Sequence, residues 1–280
     1  MHTQRILILS LILGLSVGSV DAQINQKKRG KYTFRGYDSL NTREIWDIRQ
    51  LSSATVYLCR DTVVSNVTST FTGTGLIISH KGICFLVTAG HVAIHLKKNL
   101  TSVAFSLPGD MPGIILLDQI TAEHNWRVHE IGDVALIQLT PKAPGVEDLL
   151  ERIAFPSVNM MGIETVPNYF DVVFIGYPVI EDKMKHLSPI NLTCKLASGL
   201  ITQKASNDKL CTIFYLDRPS IQGMSGGGVF CSMSRPGVTM GYTNRTLLIG
   251  IMSGTRFDNT GGKLAEVMPT FYLEELLKGH

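Results

Sequence analysis

A serine hydroxyl is a weak nucleophile until a neighbouring imidazole takes its proton, and that imidazole works best when a carboxylate holds its other nitrogen. Three stretches of this sequence carry those groups in settings that suit the chemistry. Ser225 lies in Gln222-Gly223-Met224-Ser225-Gly226-Gly227-Gly228, a glycine-rich loop running into the apolar pair Val229-Phe230. His91 follows the apolar pair Leu86-Val87 through the small residues Thr88-Ala89-Gly90. Asp133 sits in Gly132-Asp133-Val134-Ala135-Leu136-Ile137, at the mouth of an apolar strand. Glycines around Ser225 let the backbone take positive φ angles and let another molecule approach closely. Such a loop can aim the N–H groups of Gly223 and Ser225 at one point, where a developing negative charge on a substrate carbonyl would be held. Each signal has a plainer reading alone: a Gly-rich hairpin, a surface histidine, a turn aspartate. His80, His95, His124, His129 and His186 have no comparable setting, although His124 and His129 fall near Asp133.

To bring three such residues together, the chain needs short strands whose ends meet. The runs 54–58, 72–78, 83–88, 102–106, 114–117 and 134–139 read as strands, as do 172–175, 194–200, 210–216, 227–231 and 247–252. Short, closely spaced strands with few helical patterns between them argue an all-β antiparallel fold. Prolines at 141, 144, 156 and 167, with a short helical stretch at 148–153, mark residues 140–168 as a crossing between two β-rich halves. Asn41-Thr42-Arg43-Glu44 has capping-box spacing and opens a short helix with Ile45, Ile48 and Leu51 on one face. A closing helix at 269–277 carries Phe271, Leu273, Leu276 and Leu277.

With 44% hydrophobic and 18% charged residues, the 280-residue chain has the composition of a globular protein rather than a disordered one. A net charge of +3 gives no argument for nucleic acid or a membrane surface as partner. The N-terminus departs from this. Arg5 precedes a mostly apolar run from Ile6 to Val20, and Val20-Asp21-Ala22 offers small residues for cleavage. Residues 1–22 therefore read as a signal peptide, residues 23–53 as a loose arm with a short helix, and the mature protein as secreted or periplasmic, with no membrane span. Cys59, Cys84, Cys194, Cys211 and Cys231 allow at most two disulfides within the chain, and their spacings match no metal-ligand pattern. Asn66, Asn99, Asn191 and Asn244 stand in Asn-x-Thr sequons.

Thr88-Ala89-Gly90-His91, Gly132-Asp133-Val134-Ala135-Leu136-Ile137 and Gly223-Met224-Ser225-Gly226-Gly227 resemble the three motifs of trypsin-like, chymotrypsin-fold serine peptidases, in the family's order and with similar separations. Gly73-Thr74-Gly75, Gly176-Tyr177-Pro178 and Gly250-Ile251-Met252-Ser253-Gly254 are similar to further family features. The resemblance implies a peptidase domain over 54–280. It would comprise two antiparallel six-stranded β-barrels, about 54–140 and 168–268, with a C-terminal helix at about 269–278. It also implies His91 as general base, Asp133 as its orienting carboxylate, Ser225 as nucleophile and the N–H groups of Gly223 and Ser225 as oxyanion hole. Protein or peptide substrates would be cut with no metal or other cofactor. By the same likeness, Pro219 and Ser220 stand at the floor of the side-chain pocket and Ser253, Gly254 and Thr255 along its wall. A small or apolar side chain is expected there, or an acidic one if Arg256 or a histidine faces the pocket. Met224 replaces the aspartate with which digestive enzymes of the family pair a new N-terminus, which puts this chain nearer the bacterial, non-zymogen branch. The competing readings are a non-catalytic homologue that binds protein and an unrelated β-sandwich binding module.

Overall fold

The computed structural model describes residues 45–64, 67–106, 112–123, 125–143, 145–163, 169–179, 187–204, 210–236 and 242–279. The signal segment, the basic arm, the 41–44 capping box and the sequon at Asn66 lie outside them. Helix α1 (Ile48–Ala54) has its own capping box, set later in the chain. Asp47 Oδ1 accepts the N–H groups of Arg49 and Gln50, and Gln50 Oε1 accepts the Asp47 N–H. Leu51 and Ala54 are buried, whereas Ile45 and Ile48 stay exposed, so the apolar face is narrower than the sequence suggests.

The first half continues with β1 (Thr55–Val64), β2 (Val67–His80), β3 (Ile83–Thr88), α2 (Gly90–His95), β4 (Thr101–Ser106), β5 (Pro112–Leu116), α3 (Leu117–Ile120), β6 (Arg127–Val128), β7 (Ala135–Gln138), α4 (Val146–Ile153) and β8 (Phe155–Pro156). The sheet order is β5-β4-β1-β2-β3-β7-β6, all antiparallel, with β8 added in parallel to β2. Six longer strands thus carry two two-residue additions, β6 and β8. The second half holds β9 (Asp171–Gly176), β10 (Ile190–Lys195), β11 (Ile201–Lys204), β12 (Leu210–Leu216), β13 (Gly228–Pro236), β14 (Tyr242–Phe257) and β15 (Lys263–Pro269), followed by α5 (Thr270–Leu277). These seven strands pair in the order β10-β9-β13-β14-β15-β12-β11. The molecule is therefore mostly β, with two antiparallel sheets and few helices, consistent with a two-barrel chymotrypsin-like fold.

Why the strands read as near-continuous apolar runs is clear from their two faces. Side chains alternate across a strand. In β2 and β3, Ile77 and Leu86 enter a cluster inside the first sheet, while Leu76, Ile78, Phe85 and Val87 enter a central cluster shared by both sheets. In the second sheet, Phe174, Val229 and Ile249 line its own interior, and Ile175, Phe230 and Leu248 join the central cluster. Both faces are thus buried, and one apolar seam welds the halves. The crossing contributes as well: β8 pairs with β2, and the Met161 N–H donates to Leu248 O at 3.0 Å.

All five cysteines are free thiols. Among the described residues, no helix is long and apolar enough to cross a membrane.

Candidate active site

His91 lies on the first turn of α2, where backbone N–H groups have no partner within the helix. Asp133 meets that turn from the loop between β6 and β7. Its Oδ1 accepts the His91 N–H at 2.8 Å, and its Oδ2 lies 2.7 Å from His91 Nδ1. A carboxylate beside Nδ1 fixes the tautomer with the proton there, which leaves Nε2 as the basic nitrogen. One further donor completes the carboxylate: Ser253 Oγ–H donates to Asp133 Oδ2 at 2.6 Å. The antiparallel register of β14 and β15 shifts between Met252 and Gly254, and at this irregularity Ser253 reaches the Asp133 loop of the other sheet.

The electrostatics of the pair follow from these contacts. Burial pushes the His91 pKa down, but the hydrogen bond and charge of Asp133 outweigh it, so the net shift is upward. For Asp133, burial raises the pKa, and the hydrogen bonds and charge from His91, with the Ser253 hydroxyl, bring it below the ordinary value. The couple thus favours a charged carboxylate beside a readily protonated imidazole. The His91 side chain is 49% exposed and that of Asp133 24% exposed, so the ring is open to solvent while the carboxylate is more sheltered.

Ser225 is joined to the same network through Ser253, whose carbonyl oxygen accepts the Ser225 hydroxyl at 2.8 Å. Among the described residues no hydrogen bond links Ser225 to His91. The loop around it is held tightly. Gly223 and Gly226 take φ of +95° and +94°. A Cβ on Gly226 would lie 2.1 Å from Thr74 O, so only glycine fits. The N–H groups of Gly223 and Ser225 find no acceptor among the described residues, while those of Met224, Gly226 and Gly227 are bonded to Ile221 O, Met252 O and Met224 O. Two backbone donors of the Ser225 loop thus remain unused among the described residues.

Thr74, fully buried, ties this loop to the first sheet. Its N–H donates to Ser225 O at 2.9 Å, and its hydroxyl donates to Gly223 O and accepts the Tyr177 N–H, each at 2.8 Å. Thr74→Val keeps the shape but strands two buried backbone groups. The expected result is a loss of about 2–4 kcal/mol in stability, a melting temperature lower by roughly 10 °C, and slower turnover as Gly223 loosens. Thermal unfolding and a rate assay check it together.

Of the remaining sequence-predicted positions, Ser220 and Thr255 face each other: Ser220 Oγ lies 2.7 Å from Thr255 Oγ1, which also accepts the Ser220 N–H. Pro219 is exposed and Gly254 has open space beside it. Arg256 pairs with Glu266 at 3.4 Å. His129, expected from sequence only to fall near Asp133, has its ring hydrogen-bonded within the Asp133 loop. His124 and His186 lie outside the described residues.

No family model and no curated protein matches this sequence. Solved structures do. The MamO protease domain from Magnetospirillum magneticum, in its apo form, superposes with a TM-score of 0.51 at 15% identity, covering 81% of this chain and 96% of that one. The Rv3671c protease from M. tuberculosis, in its active form, superposes with a TM-score of 0.50 at 16% identity, covering 82% of each chain. At these identities the likeness is one of fold: that of trypsin-like protease domains.

Proposed function

We propose that this chain is a serine endopeptidase in which Ser225 attacks the scissile carbonyl of a polypeptide. His91 Nε2 takes the Ser225 proton during attack and delivers it to the leaving amine, and water then hydrolyses the acyl-enzyme by the same proton transfers in reverse order. Asp133 stays ionised and stabilises the imidazolium. The unused N–H groups of Gly223 and Ser225 receive the oxyanion, each such donor being worth roughly 3–4 kcal/mol. The observation that carries this reading is the His91–Asp133–Ser253–Ser225 network, which joins residues carried by the two sheets.

The resting hydroxyl must turn from Ser253 O to His91. That exchanges one hydrogen bond of about 1 kcal/mol net for another, on a ps–ns rotamer timescale, so it is no barrier to turnover. Met224 supports the non-zymogen half of the proposal: it is fully buried in the apolar cluster of the second sheet, with no carboxylate at that position to receive a new N-terminus. Export after removal of residues 1–22 belongs to the same proposal.

The Ser220–Thr255 hydroxyl pair favours small side chains in the substrate, because it ties the segment leading to Ser225 to the strand segment after Ser253. The Arg256–Glu266 pair weighs against acidic ones. Thr255→Gly removes the tie and is expected to raise kcat/KM for Leu or Phe relative to Ala substrates by at least 10-fold, the scale of one or two methylenes in a pocket. A paired peptide series measures it; an unchanged ratio would place the pocket elsewhere.

The peptidase reading is tested by treating the folded protein with a fluorophosphonate and locating the adduct by peptide mass. Modification at Ser225, together with cleavage of a peptide rather than an ester, is the expected result. Folded protein that takes no label would instead favour a non-catalytic homologue.

A further inference from the structure

The loop that carries Asp133 is held from behind by an element far away in sequence. His129 Nδ1 accepts two backbone N–H groups of that loop, from Ile131 at 3.1 Å and Gly132 at 2.9 Å. Accepting there requires Nδ1 to be unprotonated, so the ring's single proton sits on Nε2, and Nε2 donates to Glu275 Oε2 at 2.9 Å on the C-terminal helix α5. The loop is closed on itself by His129 N–H to Val134 O and Val134 N–H to Gly132 O, both 2.9 Å. Tyr272, also on α5, covers the other side: a Cβ on Gly132 would lie 2.5 Å from its ring. The Tyr272 ring centroid is 4.8 Å from that of His129, and its hydroxyl accepts the Thr212 N–H at 2.7 Å, which fixes the ring to β12. The His129 side chain is only 10% exposed, whereas that of Glu275 is 53% exposed, so the polar tie runs from a sheltered ring to the surface of the helix.

We infer that His129 is a positioning residue for the proposed hydrolysis: with Glu275 and Tyr272 it makes α5 the strut that sets where the Asp133 carboxylate stands and, through it, the orientation of the His91 imidazole. Asp133 follows Gly132 directly, so a shift of the N–H groups held by His129 is passed on to the carboxylate. A displacement of about 1 Å in such a group costs on the order of 100-fold in rate. This role rests on the peptidase reading, and its two halves can be separated by substitution. An asparagine places its amide oxygen where Nδ1 stood but does not reach Glu275; a glutamine reaches Glu275 but leaves the loop N–H groups unpaired.

The experiment compares His129→Asn, His129→Gln and Glu275→Ala in the full chain, each shown to keep its melting temperature within a few degrees. For peptide hydrolysis, His129→Gln is expected to lower kcat by 10- to 100-fold at nearly constant KM, His129→Asn to stay within about 5-fold of wild type, and Glu275→Ala to fall between them. The second readout needs no turnover: the downfield proton resonance of the His91 Nδ1–H held by Asp133 should weaken or shift in His129→Gln and persist in His129→Asn. Equal kcat and an unchanged resonance in His129→Gln would overturn the positioning role. A wild-type protein that hydrolyses nothing, yet shows the expected difference in the resonance, would sink the peptidase reading and leave the strut standing.

Discussion

Ser225→Ala is expected to reduce kcat for peptide hydrolysis by roughly 10^6-fold, about 8 kcal/mol of transition-state stabilisation, with little change in folded stability. The two quantities separate because the hydroxyl has so little to do in the resting protein. Its one hydrogen bond there goes to Ser253 O, and losing it costs about 1 kcal/mol, a melting-temperature change of roughly 2–4 °C in a chain of this size. The loop itself is set by Gly223, Gly226 and their contacts with Thr74, none of which involves the Ser225 side chain. Single-turnover and steady-state assays beside a thermal melt test both parts. If the variant still turns over peptide at more than a thousandth of the wild-type rate, another nucleophile is at work.

Asp133→Asn is expected to lower kcat by about 10^4-fold, since the neutral amide neither enforces the Nδ1–H tautomer nor stabilises the imidazolium. The pH profile gives an independent check with a definite sign. Only neutral His91 can accept the serine proton, so kcat/KM falls as pH drops through the His91 pKa. In the native protein the hydrogen bond and charge of Asp133 overcome burial and hold that pKa above the ordinary histidine value. With the charge removed, burial acts unopposed and the acid limb must move to lower pH. A limb that stays put would mean that Asp133 does not face the titrating histidine.

Much of this arrangement was legible because the informative residues are local. The three motifs each combine an apolar strand with small residues and one reactive side chain, and β3, β7 and the Gly228–Cys231 start of β13 are mostly buried on both faces. The strands missed by sequence have the opposite character. In β10 only Cys194 is buried, so its polar residues Asn191 and Thr193 gave no pattern, and the expected strand was drawn a few residues late, over 194–200. In β15, Lys263 and Glu266 interrupt the apolar residues Ala265, Val267 and Met268. Helix α1 begins at Ile48, later than the expected helix carrying Ile45, because Asp47 directly precedes the helical turn and caps it with Gln50. Ser253 was expected only along the pocket wall and His129 only near Asp133, and their contacts with the Asp133 loop were not legible for another reason. Ser253 meets Asp133 across 120 residues of chain, at a register irregularity in β14, and His129 acts through a helix at the far end of the sequence. No local pattern records either contact.

The free thiols have a consequence for how this protein's opening can be watched. Burial pushes Cys59 and Cys84 up to about 11, and Cys194 and Cys231 up to about 12. Alkylating reagents attack the thiolate, and at neutral pH that form is on the order of one part in 10^4 or less for such groups. The native chain should therefore ignore a maleimide that the unfolded chain takes up at every cysteine. Mass counting of adducts over time then reads the opening of each half separately, Cys84 reporting on the first sheet and Cys194 and Cys231 on the second, with no engineered label.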